Sequence, residues 1–121
     1  MVDVLTVDDQ EVFRAVARDV IESTPGFNSV LEARSGDEAL ELLGEAHPEL
    51  ALVDVRMPGM DGVETTRRLI GAAPDLVVVL ISIEGPANLP SEAGRCGAAA
   101  LVRKQEFCPA LLRELWAAYG S

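Results

Sequence analysis

Five side chains in this sequence are of types that do chemistry together: the adjacent pair Asp8-Asp9, Asp54 inside an apolar run, Ser82 at the end of another, and Lys104, the only lysine of the chain. Brought within a few ångströms, three carboxylates repel by roughly 4 kcal/mol per close pair at an effective dielectric of about 20, so they need a cation or a proton. A partly open, oxygen-lined site suits Mg2+, which keeps several waters and takes only a few carboxylates. A hydroxyl and an ammonium opposite the metal then form a cradle for a tetrahedral anion, which is what a phosphoryl group requires. Singly, each residue has an ordinary role: Asp8-Asp9 as a solvated turn, Ser82 as a strand end, Asp54 and Lys104 as a structural ion pair. Asp54 presses hardest for a partner, because a carboxylate in an apolar strand is costly without one.

The elements that must position these groups follow from the hydrophobic period. Val2 to Val7 (VDVLTV), Ser29 to Ala33, Leu50 to Val55 (LALVDV), Leu76 to Ser82 (LVVVLIS) and Ala98 to Val102 read as strands, short and β-branched or apolar. Between them the period changes to that of helices. Val12, Phe13, Val16, Ala17, Val20 and Ile21 share one helical face ended by Pro25-Gly26. Ser35 and Glu38 form a capping box for a helix closed by His47-Pro48. A third helix runs from Val63 to about Ala72, and a last one starts near Cys108 with Pro109 in its first turn and reaches about Tyr119. Between Glu84 and Gly97, the residues Gly85, Pro86, Pro90, Gly94 and Gly97 predict a short, weak or mobile fourth helix. Five buried strands alternating with five helices mean an α/β fold, a doubly wound parallel sheet. In such sheets the ligand site lies beyond the C-terminal strand ends, where all five chemical residues fall.

Composition narrows the function classes. The 121 residues, 49% of them apolar, suffice for one domain with a real core. Twenty acids against ten bases leave a formal charge of −10, which argues against direct binding to nucleic acid or to anionic membrane surfaces. No apolar run has the length of a membrane span and Met1-Val2-Asp3 lacks the basic start of a signal peptide, so the expected location is cytoplasmic. Cys96 and Cys108 lack metal-type spacing and read as reduced thiols. A dinucleotide site fails for want of a Gly-rich turn after the first strand. An Asp-nucleophile phosphatase fails because Arg56 occupies the position where such enzymes place a second acid.

At these residues the chain resembles, over essentially its whole length, the response-regulator receiver domain of two-component signalling. The match lies in Asp8-Asp9, the segment Asp54-Val55-Arg56-Met57-Pro58-Gly59-Met60-Asp61-Gly62, Ser82, and Lys104 following Gly97-Ala98. The resemblance implies a flavodoxin-like (βα)5 sheet of order 2-1-3-4-5, spanning 1–121 as one receiver domain, excised from a longer chain with a C-terminal output domain of the helix-turn-helix DNA-binding kind. It further implies that Asp54 accepts a phosphoryl group from a sensor histidine kinase. Asp8, Asp9, Asp54 and the backbone carbonyl of Arg56 would hold Mg2+, and Ser82 and Lys104 would bind the phosphoryl oxygens. Such a domain is no enzyme beyond its own phosphorylation and dephosphorylation.

Four positions depart from the family pattern. Leu101 stands where an aromatic usually follows the switch, and Ile83 stands where a small residue usually follows the hydroxyl. Ile83 either crowds access to Asp54 or turns into a helix interface. Gln105 replaces a common proline, and Arg56 brings a cation to the metal loop, free to pair with Glu84 or Asp9. Trp116 and Tyr119 give the last helix more apolar surface than one stripe needs; they serve core packing, or a homodimer or output-domain contact through the face of fourth helix, fifth strand and fifth helix. These departures leave open a second reading, an atypical receiver-like binding module that signals without phosphorylation.

Overall fold

The computed structural model describes residues 1–120. The apolar runs form one parallel sheet from β1 (Val2–Val7), β2 (Phe27–Ala33), β3 (Leu50–Asp54), β4 (Val77–Ser82) and β5 (Ala100–Arg103), in the order β2-β1-β3-β4-β5. This is the predicted strand order. Successive side chains of a strand point to opposite faces, and the core divides accordingly. Val4, Leu50, Leu52, Val79 and Ile81 face α1 (Glu11–Glu22) and α4 (Pro109–Tyr119), meeting Phe13, Ala17, Ile21, Leu112 and Leu115. Leu5, Val7, Ala51, Val53 and Leu80 face α2 (Gly36–Leu43) and α3 (Gly62–Ala72), meeting Leu43 and Leu69. Each such buried Leu, Ile or Val contributes about 1.5–3 kcal/mol of transfer free energy.

Local signals set the helix starts. The Ser35 hydroxyl accepts the Glu38 N–H at 3.1 Å as predicted, but the Glu38 carboxylate accepts from the Arg34 N–H at 2.9 Å, one residue before the expected Ser35. Asp61 caps α3 by accepting the Glu64 N–H at 2.9 Å.

Several expectations are corrected. No α-helix lies between β4 and β5; among the described residues the segment holds two 3-10 turns, Pro86–Asn88 and Ser91–Gly94, and the α-helices number four. Pro90 cannot donate a helical hydrogen bond, and Gly85 and Gly94 flank it, so no continuous helix is sustained. The strands are not all buried: β2 and β5 are the sheet's edges and are largely half-exposed. β2 starts two residues early, at Phe27, because a register shift opposite Val4/Leu5 lets the polar Asn28 and Ser29 pair before the apolar run. On α1 only the narrow Phe13, Ala17, Ile21 row is buried, while Val12 is 78% and Val16 46% exposed. Val20 is half-buried beside this row, and Val12 and Val16 lie on its solvent flank. Cys96 and Cys108 are free thiols. No helix among the described residues is long and apolar enough to cross a membrane.

Candidate functional site

Register brings the chemical residues together. Val7 pairs with Val53, so Asp8 and Asp54 lie one step further along neighbouring strands, and Asp54 pairs with Ile81 while Ser82 pairs with Arg103. Lys104 follows at once. All sit at the C-terminal edge of the sheet, as the sequence predicts.

Asp8 is fully buried; one carboxylate oxygen, Oδ1, accepts the Gln10 N–H at 2.8 Å, and its backbone carbonyl accepts from the Arg14 guanidinium at 2.8 Å. Asp9 is exposed and Asp54 only 6% exposed. Carboxylate oxygens of Asp8, Asp9 and Asp54 lie within 4.8 Å of one another. Lys104 Nζ stands 2.7 Å from Asp8 Oδ2 and 3.6 Å from Asp54 Oδ2. The nearer contact is a buried ion pair, in which the Lys104 ammonium is the only cation beside Asp8 Oδ2 among the described residues. The predicted Asp54–Lys104 pair is therefore shared, with Asp8 the nearer partner.

Burial pushes the Asp54 carboxyl up to about 6, and the negative charge of Asp8 adds to the rise, while the Lys104 ammonium and the Arg56 backbone N–H oppose it. Three carboxylates within 4.8 Å of one another, two of them buried and sharing a single ammonium, are a donor set that a hard divalent cation satisfies. The residues present fit Mg2+ on that chemistry.

A cavity of about 150 Å³ opens on Asp54, Ser82 and Lys104, with Gln10, Arg56, Ile83 and Glu84 around it. That is room for a tetrahedral oxyanion, given that a liquid water occupies about 30 Å³. Ser82 is buried, and its Oγ accepts the Glu84 N–H at 3.0 Å. Ile83 is 65% exposed at this opening, which excludes the helix-interface alternative. The Arg56 side chain pairs with Glu84 rather than Asp9 and donates to the Asn88 carbonyl at 2.7 Å. Gln105 donates to the Ile83 carbonyl at 3.3 Å. Leu101 is half-buried and packs against the core cluster on the α2 and α3 side of the sheet, an aliphatic side chain with no ring to rotate. Trp116 and Tyr119 lie on the last turns of α4, at the opposite end of the sheet; Trp116 packs on the core and Tyr119 is about half exposed.

Three contributors escape sequence reasoning. The Phe13 ring lies under the Lys104 ammonium, 4.7 Å from Nζ to the ring centre; its helical spacing marks it as core and hides this. Arg14, outside the apolar stripe of α1 and so without a sequence signal, donates to the carbonyl of Asp8. Gly62 touches the strand that carries Asp54: a Cβ there would run into the Asp54 carbonyl oxygen and stand 2.8 Å from its carbonyl carbon. The Asp61-Gly62 pair is the visible signal for that close approach.

Comparisons with known proteins agree with this geometry. A model of the response regulator receiver domain matches residues 4–115. The chain is 34% identical over 104 residues to the response regulator GacA of Pseudomonas aeruginosa, covering 86% of this chain and 49% of that protein. It is 30% identical over 111 residues to the transcriptional regulatory protein DegU of Brevibacillus brevis, covering 92% and 47%. The chain thus spans about half the length of the curated relatives it matches. Among solved structures, the response regulator domain of Thermotoga maritima CheB superposes with a TM-score of 0.86 at 30% identity, covering 100% of this chain and 98% of that one.

Proposed function

Since this chain belongs to the response regulator receiver domains of two-component signalling, we propose that Asp54 is its phosphoacceptor and that a sensor histidine kinase is the donor. The observation that carries this is that Asp54, Ser82 and Lys104 line one cavity while Asp8 and Asp9 bring two further carboxylates within 4.8 Å of Asp54. Asp8, Asp9, Asp54 and the Arg56 carbonyl would hold Mg2+, which when bound supplies a positive charge opposite the phosphoryl oxygens.

An ionised Asp54 oxygen attacks the phosphorus of a kinase phosphohistidine in line. The oxygen–phosphorus bond forms, the phosphorus–nitrogen bond breaks, and its electron pair leaves on the imidazole, which takes up a proton. Lys104 moves from Asp8 towards a phosphoryl oxygen, and Ser82 gives up its contact with the Glu84 N–H to donate to another. The product is an acyl phosphate, a labile anhydride, so the signal limits itself. It adds about −1.5 to −2 charges and three acceptor oxygens, enough to bias the β4 and β5 ends between two arrangements. The domain catalyses at most its own phosphorylation and dephosphorylation.

Further, residues 1–121 form one domain of a longer cytoplasmic protein whose output follows it, in keeping with relatives about twice as long. The signal passes through a changed contact on the face of the β4–β5 segment, β5 and α4, where Trp116 and Tyr119 would meet an output domain or a second copy.

Incubation with Mg2+ and acetyl phosphate or beryllofluoride tests the proposal. A mass gain of one phosphoryl group, or NMR shifts centred on Asp54, is expected; no response would overturn it and favour the second reading. That second reading, a receiver-like binding module that signals without phosphate, has its own support in Leu101 and in the absence of an α-helix from residues 84–97.

A further inference from the structure

Lys104 Nζ has two carboxylates on one side, at 2.7 Å and 3.6 Å, and the face of the Phe13 ring on another, its centre 4.7 Å away. Carboxylates alone do not fix an ammonium carried on a flexible four-carbon stem, because attraction to a point charge is nearly isotropic and the stem has many rotamers. A ring face adds direction: its quadrupole attracts a cation over one side only, within about 6 Å of the centre. The ring is itself held. Phe13 is buried on the sheet face shared by α1 and α4, and Phe107 packs against it with centroids 6.3 Å apart and planes at 48°. Phe107 is two residues ahead of α4 and three after Lys104, so the brace closes on the segment that carries the lysine.

We propose that Phe13 is a positioning residue for Lys104, its ring face seating the ammonium between Asp8 and the place a phosphoryl group on Asp54 would take, so that the move from one to the other is short. The inference rests on the reading of Asp54 as phosphoacceptor. It separates Phe13 from Ala17 and Ile21, which share its stripe on α1 and serve packing alone.

Because Lys104 is the only lysine, a domain made with isotopically labelled lysine gives one ε-methylene NMR signal, from the residue in question. In the wild-type domain that signal is expected upfield, displaced by the ring current of Phe13. In Phe13→Leu, which keeps apolar burial but has no ring, it moves to the ordinary lysine position; in Phe13→Tyr it stays upfield. Beryllofluoride binding in Mg2+ weakens roughly three- to tenfold in Phe13→Leu and recovers in Phe13→Tyr. A wild-type signal at the ordinary position overturns the proposal, whether or not Phe13→Leu folds. Equal affinity in wild type and folded Phe13→Leu overturns it too, while leaving the phosphoacceptor reading intact. A wild-type domain that binds no beryllofluoride overturns that reading, and the role of Phe13 with it.

Discussion

Arg56 and Glu84 form an ion pair that ties the loop after β3 to the loop after β4, across the cavity that opens on Asp54. The same guanidinium donates to the Asn88 carbonyl at 2.7 Å, and the Glu84 N–H is the one that occupies Ser82. One arginine thereby holds in place both the loop after β3 and the segment whose N–H engages Ser82. Both partners are partly exposed, so the pair itself contributes no more than about 1 kcal/mol to stability. Arg56→Ala is therefore expected to change the melting free energy by less than about 1 kcal/mol while raising the rate of Asp54 phosphorylation by acetyl phosphate several-fold. A rate at or below that of wild type counts against the pair as a restraint on the site.

The raised Asp54 carboxyl makes stability depend on pH with a definite sign. The folded group titrates at about 6 against an ordinary 3.8, so between those values the folded state binds more protons than the unfolded state. Its stabilisation is fully present below about 3.8 and is lost as pH rises through about 6, a loss on the order of 3 kcal/mol without metal. Denaturant melts of wild type and Asp54→Asn, compared pH by pH in chelator, isolate this group: the variant lacks the decline. Adding Mg2+ at neutral pH restores much of the lost stability in wild type and little in the variant, which also takes up no phosphoryl group.

Lys104→Met leaves Asp8, wholly buried, without its cation. Removing one partner of a buried pair costs about 3–5 kcal/mol, and thermal melts in chelator are expected to show a drop of that order. Mg2+ should then stabilise the variant more than it stabilises wild type, because Asp8 Oδ2, stripped of its ammonium by the substitution, has no competing cation. Calorimetric titration with Mg2+ checks the tighter binding; weaker binding than wild type contradicts it.

Gly62→Ala drives a methyl group into the backbone of Asp54. Backbone cannot yield as a side chain tip does, so the cost reaches or exceeds the 1–3 kcal/mol of ordinary overpacking. Phosphorylation is expected to fall further than the melting temperature alone explains, since the strand carrying the acceptor must shift. Gly71→Ala, on the same helix with open space at its Cβ, serves as the control: it is expected to leave phosphorylation unchanged and to stabilise by up to about 1 kcal/mol.

The five strands and the meeting of Asp8, Asp54, Ser82 and Lys104 at one sheet edge were readable from residue patterns, because runs of apolar β-branched residues that stop at polar side chains are strong local signals. The strand order came only with the family resemblance, since lateral pairing is not written in any one run. The edge character of β2 and β5 was not readable, since burial of an edge strand depends on what lies beside it and not on its own composition. Val12 and Val16 show the same limit on a helix, where six apolar residues fit a face and the sheet accepts only every fourth. Long-range partners were hidden for a related reason. Nothing in Arg56 chooses Glu84 over Asp9 before the loops are placed, and nothing in Phe13 distinguishes a ring that packs from a ring that also meets an ammonium.

The segment between β4 and β5 has a thermodynamic consequence beyond its shape. Its two turns are closed by short-range bonds, Asn88 N–H to Gly85 carbonyl, Ala93 N–H to Pro90 carbonyl and Arg95 N–H to Glu92 carbonyl, at 3.1, 3.0 and 2.9 Å. There is no ladder of i to i−4 bonds to melt as a unit, so each turn opens independently and at small free-energy cost. Under the proposed role of Ser82, a phosphoryl group drawing on its hydroxyl would work against a soft element. The few kcal/mol that separate two arrangements of such an edge lie within what one or two new charge-assisted hydrogen bonds supply, and amide exchange there should be the fastest of any interior stretch of the chain.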